Sequence, residues 1–147
     1  MTQKKNNIKE FSILEDYLKS VGQFFTQPRK IILESFLQIE GHVSVKKLCE
    51  EVRRVDPQIS QATVYRTMKL LVECGLASEN EFTDERKLFE KSHGIEHHDH
   101  MVCAKCKKVE EFHNDSIERL QEEVARSHKF EITSHRMTLF GICNDCQ

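Results

Sequence analysis

Tryptophan is absent from the 147 residues, glycine occurs five times and proline twice. So little Gly and Pro excludes a collagen-like or low-complexity chain. No stretch approaches the roughly 18 uninterrupted apolar residues of a membrane span, and the opening MTQKKNNIKE lacks the apolar centre of a secretory signal. A cytoplasmic setting without a membrane partner is therefore expected. A surplus of one charge is missing as well, because 22 Lys and Arg stand against 24 Asp and Glu for a net charge of −2. Net charge supplies no general attraction to phosphate, so any nucleic-acid binding needs a local patch or an added cation. The length allows one or two small domains.

What the chain does have is six cysteines and eight histidines, unevenly placed. Before residue 91 there are only His42, Cys49 and Cys74; the remaining four cysteines and seven histidines follow. The chain is chemically two halves.

In the first half, Ile8, Phe11, Leu14 and Leu18 recur at helical spacing and Gly22 is a plausible stop. Thr26 reads as the N-cap of a second helix with Pro28 in its first turn and Gly41 at its end. Ser44 caps a third, with Val45, Leu48, Cys49 and Val52 on its buried stripe, and Ser60 a fourth, carrying Val64, Met68 and Leu71 and ending at Gly75. LASENEF and RKLFE then alternate as two strands joined at Thr83-Asp84-Glu85. Helices followed by a hairpin suggest a winged helix, and a generic helical domain with a terminal hairpin is the plainer alternative. Ala62, Thr63, Tyr65 and Arg66 lie in the first two turns of the fourth helix, where a recognition helix meets base edges and phosphates. They are the candidate DNA-binding residues.

The expected division is a winged-helix domain over 1–90, a linker over 91–97 and a small α+β domain over 98–147. In the last, HHDHMVC and KKVEEF read as strands around Cys103 and Cys106. Asn114 or Asp115 caps a helix through His128 with Ile117, Leu120 and Val124 inward, and FEITSHRMTLFGIC reads as a final strand. A domain this small has little core of its own and needs a metal or a partner subunit.

Cys103-x-x-Cys106 and Cys143-x-x-Cys146 can each grip one ion from a tight turn, and four thiolates suit tetrahedral zinc. Disulfides are the alternative, which a cytoplasmic setting disfavours. With every position filled by protein, the site is structural. His97-His98-Asp99-His100 is the second constellation. Side chains of a strand alternate, so His97 and Asp99 face one way and His98 and His100 the other, supplying two ligands to each of two centres. Candidate partners are His42, Glu90, Glu110, Glu111, Glu118 and His135, which spacing alone does not sort. A solvated strand is the bland reading of such a run. Cys49 and Cys74 read as core thiols, and His93, His113 and His128 as surface or helix-end residues. No phosphate loop and no nucleophile with a base at diagnostic spacing is present, so no enzyme is expected.

With TQPR, HVS, ATVYR, LFE, HHDH, the two CxxC pairs, VEEF and His135 on the page, the chain from about Leu18 to Cys146 resembles the ferric uptake regulator (Fur) family of metal-dependent repressors. The resemblance implies a winged helix, an α+β dimerisation domain, and a homodimer that binds AT-rich palindromic double-stranded operator DNA when loaded with a divalent ion; pairing into tetramers stays open. It also implies a regulatory site of His42, Glu90, His98, His100 and Glu111, a second mixed-ligand site of His97, Asp99, Glu118 and His135, and structural zinc on the four cysteines. Fe(II) is the favoured regulatory ion over Mn(II) and Zn(II), because Glu111 resembles iron sensors more than the peroxide-sensing branch and no thiolate enters the site.

Two features depart from the family pattern. Gln23-Phe24-Phe25 stands where relatives usually carry a basic residue, and the hairpin is acidic with Glu79, Glu81, Asp84 and Glu85. The sister reading is a peroxide sensor oxidised at His42 or His98. Outside the family stand a metal-dependent hydrolase and a zinc-stapled interaction module that binds no DNA.

Overall fold

Serine caps set two of the helices where the sequence places them. The Ser44 hydroxyl accepts the Lys47 amide at 3.1 Å and the Ser60 hydroxyl accepts that of Thr63 at 3.2 Å, each satisfying a donor the helix itself leaves unpaired. The computed structural model describes residues 7–83 and 86–147 and resolves into two compact units, one ending at Ile95 and the other spanning Glu96–Gln147. Asp84 and Glu85, read as the hairpin turn, lie outside the described residues.

The first unit is a winged helix. It runs α1 (Asn7–Ser20), α2 (Gln27–Gln38), β1 (His42–Val43), α3 (Val45–Val55), α4 (Gln61–Glu73), β2 (Ala77–Thr83) and β3 (Arg86–Lys91). Leu14, Leu18, Ile32, Leu33, Phe36, Leu48, Val52, Val64, Met68 and Leu71 are fully buried from all four helices, and Phe89 brings the sheet into the same core. Each such side chain stabilises the fold by about 1.5–3 kcal/mol relative to exposure. Gly22 and Gly75 take positive φ after α1 and α4, as helix stops do. The second helix starts as expected, with Thr26 at its cap though without a side-chain hydrogen bond, but it stops at Gln38, ahead of Gly41. The two-residue strand β1 is too short to leave a period in the sequence. It completes an antiparallel sheet of order β1-β3-β2 in which His42 pairs with Glu90, and Glu90 in turn with Ser78.

The second unit is built from β4 (Asp99–Cys103), β5 (Val109–Phe112), α5 (Asp115–Ser127), β6 (Thr138–Gly141) and a closing 3-10 turn (Asn144–Cys146). The sheet order is β5-β4-β6, with β4 and β6 parallel, so the strand leading to the last cysteines lies beside the strand that ends at Cys103. Asn114 is the cap of α5, its side chain accepting the Ser116 and Ile117 amides. Two expectations fail here. Leu120 and Val124 do not point inward but are 54% and 59% exposed, and no residue of α5 is buried among the described residues. The final strand is four residues rather than fourteen, and the segment before it lies outside the sheet with His135 3.2 Å from Glu118. Val102 and Cys103 are the only buried apolar residues among the described residues of this unit.

Candidate metal centres

The four cysteines converge because β4 and β6 run side by side. Their Sγ atoms all lie within 4.8 Å of one another, with Cys106 and Cys143 at 3.6 Å. Bonds of about 2.3 Å to a tetrahedral zinc put sulfurs near that separation, so the residues fit the ion. The amides of Cys143 and Cys106 point at Cys103 Sγ from 3.4 and 3.5 Å and pull its thiol down to about 6. Cys146 responds oppositely: hydrogen bonding with Cys143 and Cys106 pushes it up to about 12. The Cys103 thiolate forms readily while the Cys146 thiol resists ionising beside it, and a cation shared by the cluster would offset that repulsion.

His97, Asp99, Glu118 and His135 form the second group, with one ligand atom from each inside 4.8 Å of the rest. Nε2 of His97 lies 3.4 Å from both Asp99 Oδ1 and Glu118 Oε1, and Nε2 of His135 lies 3.2 Å from Glu118 Oε2. Asp99 is 1% exposed, and neither of its carboxylate oxygens has a hydrogen-bond partner. A buried carboxylate that makes no hydrogen bond and has only the His97 imidazole at 3.4 Å is costly, and a divalent cation is the group that would offset the cost. The donor set, two imidazoles and two carboxylates, suits ions that accept mixed nitrogen and oxygen ligands.

The remaining candidates divide between the units. In the first, His42 Nε2 lies 2.9 Å from Glu90 Oε2 across the β1–β3 pair, and both side chains are about nine-tenths buried. In the second, His100 on β4 faces Glu111 on β5 as a cross-strand pair, and His98 Nε2 is 3.7 Å from Glu111 Oε1 with its ring 5.0 Å from that of His100. The alternation read from HHDH therefore survives although β4 begins only at Asp99: the odd pair goes to Glu118 and His135, the even pair to Glu111. Glu110 does not join either group and pairs with Lys108 at 2.6 Å.

Sequence reasoning missed the residues that hold Glu90. Its Oε1 accepts from Asn80 Nδ2 at 3.0 Å and Ser78 Oγ at 3.3 Å. Ser78 and Asn80 are two apart on β2 and so share a face, but only the strand register places that face against Glu90.

On α4, Ala62, Tyr65 and Arg66 are exposed. Thr63 is half-buried; its amide donates to the capping Ser60 hydroxyl, which also lies 3.0 Å from its own hydroxyl. Lys69 bonds Glu79 at 2.6 Å and ties α4 to β2. Phe24 is 83% exposed beside Gln23, and Arg29 donates to the Phe24 carbonyl and to Gln23 Oε1, both at 2.6 Å. Cys49 is buried in the core and Cys74 is half-buried, as expected of structural thiols.

Comparison with known proteins gives one consistent likeness. Residues 20–140 match the model of the ferric uptake regulator family. A ferric uptake regulation protein of Campylobacter jejuni is 34% identical over 143 residues, covering 93% of this chain and 90% of that one. Among solved structures, the Helicobacter pylori ferric uptake regulator, described as having three functional metal binding sites, is 29% identical with a TM-score of 0.80, covering 92% of this chain and 91% of that one. The Vibrio cholerae regulator is 35% identical with a TM-score of 0.72, covering 88% and 98%.

Proposed function

The chain belongs to the ferric uptake regulator family of metal-responsive transcriptional regulators, which bind DNA as dimers, and from that premise we propose that it is an iron-responsive repressor of operator DNA. In this reading residues 1–90 are the DNA-binding domain, 91–97 the hinge and 98–147 the dimerisation domain. The four cysteines hold structural zinc. His42, Glu90, His98, His100 and Glu111 form the regulatory site, and His97, Asp99, Glu118 and His135 a second one.

The observation that carries the proposal is that each unit already pairs its own share of the regulatory ligands: His42 against Glu90 in the winged helix, His98 and His100 against Glu111 in the other. In this proposal a divalent ion held by both shares would link the DNA-binding domain to the dimerisation domain. His42 and Glu90 sit in the sheet whose β2 is bonded to α4 through Lys69 and Glu79, so their position is coupled to the reading helix. Two reading helices of a dimer engage two half-sites only at the groove repeat, and fixing the hinge selects that spacing. Base contacts come from Ala62, Tyr65 and Arg66, with Thr63 at the helix start.

The dimer surface is the uncovered apolar face of α5 at Leu120 and Val124 together with Leu139 and Phe140 on the edge strand β6, which are 46% and 62% exposed. A second copy of this chain covers them. Iron is favoured by the names of the relatives and by a regulatory ligand set free of thiolate. Operator selection from random DNA, with protein loaded separately with Fe(II), Mn(II) and Zn(II) beside a chelated control, tests the proposal. A palindromic sequence enriched only with metal supports it, and no enrichment under any metal defeats it.

A further inference from the structure

Glu90 occupies the centre of one row across the wing sheet: its backbone pairs with His42 on β1 and with Ser78 on β2. Alternation puts Ser78, Asn80 and Phe82 of β2 on a single face, and all three serve this row. Ser78 and Asn80 donate to Glu90 Oε1, while the buried Phe82 packs edge-on against the His42 imidazole with ring centroids 5.2 Å apart. The two Glu90 oxygens are thereby made unequal. Oε1 accepts two hydrogen bonds from the wing, and Oε2 faces His42 Nε2 at 2.9 Å.

We propose that Asn80 and Ser78 are positioning residues that hold Glu90 to a one-oxygen mode of binding and so bias the regulatory site toward ions of low coordination number. The inference rests on Glu90 being a regulatory ligand. A carboxylate with both lone-pair directions of one oxygen engaged by donors has only the other oxygen to offer an ion. Zn(II) tolerates a small ligand number, whereas Mn(II) prefers a six-coordinate, oxygen-rich shell and gains from a carboxylate that turns both oxygens inward. Partners of metal ligands typically alter affinity by 10–100-fold when removed. Here the removal acts unevenly, because it loosens Glu90 for both ions but opens the two-oxygen mode that Mn(II) uses.

The test is made on the full chain with the cysteine site filled by zinc and the second site silenced by His135→Ala. Zn(II) and Mn(II) affinities are measured by competition titration for this parent and for Asn80→Ala, Ser78→Ala and Glu90→Gln, with circular dichroism as the check of folding. Asn80→Ala is expected to weaken Zn(II) roughly tenfold and Mn(II) less than about threefold, and Ser78→Ala to shift the ratio in the same direction by less. Unchanged affinities, or equal losses for both ions in both variants, overturn the inference while leaving Glu90 a ligand. A Glu90→Gln protein that binds both ions like its parent removes the underlying reading as well.

Discussion

Asp99 and His100 are consecutive in the chain and both buried, yet they face opposite sides of β4, Asp99 toward His97 and Glu118 and His100 toward Glu111. A single strand thus presents side chains to two clusters, and a side chain on one face can be changed without touching the other.

The Asp99 carboxylate lacks a hydrogen-bond partner for either oxygen, so replacing it should change stability in opposite directions with and without metal. Asp99→Asn removes a buried charge of the same shape. With only the cysteine site filled, the variant should gain about 1–3 kcal/mol in urea unfolding. With excess Mn(II) or Co(II) it should be the less stable protein. Equal stability of the two proteins in both conditions would contradict the role assigned to the site.

The second unit buries only Val102 and Cys103 among its described apolar residues, too little for an independent core. Structural zinc contributes on the order of 10 kcal/mol in small domains. Stripping it, or making Cys143→Ser, should unfold this unit while the amide resonances of the winged helix persist. Nuclear magnetic resonance reads both units at once.

Covering of the α5 face is tested by charge. Leu120→Asp and Val124→Asp place a carboxylate where a second copy is expected, and sedimentation should report a monomer whose DNA affinity falls by at least an order of magnitude. Because both positions are exposed in the single chain, its own fold should be retained.

The link from α4 to β2 carries a pH dependence. Hydrogen bonding to Lys69, assisted by Lys87, holds the Glu79 carboxyl below its usual 4.5. A depressed carboxyl stabilises the fold fully above that usual value and loses the contribution as pH falls through its lower folded value. Glu79→Gln should therefore be less stable than the parent near neutrality by under about 1 kcal/mol, given a partly exposed partner. The difference should vanish in acid, as urea unfolding across the pH range would report.

Much of this was legible from residues. Ser44 and Ser60 cap their helices, the two CxxC pairs meet, and the alternation in HHDH places His97 and Asp99 with Glu118 and His135, and His98 and His100 with Glu111, even where the strand has not yet begun. What escaped depends on partners distant in sequence or on another chain. The stripe of Leu120 and Val124 has the right period for a core but does not say whose core it joins. His42 lies in a strand too short to leave a pattern, and the grip of Ser78 and Asn80 on Glu90 exists only through strand register. The residues before β6 lie outside the sheet, with His135 3.2 Å from Glu118, a contact that β-propensity does not encode.

The central claim is that occupation of the regulatory site switches DNA binding. Its most direct measurement is the affinity of the full chain for its selected operator under anaerobic Fe(II), compared for the parent, His98→Ala and Glu111→Gln, each with zinc retained at the cysteines. The account predicts tight, chelator-reversible binding by the parent and, in both variants, binding no tighter than to unrelated DNA at the same salt concentration. Operator affinity in the variants equal to that of the iron-loaded parent would contradict it.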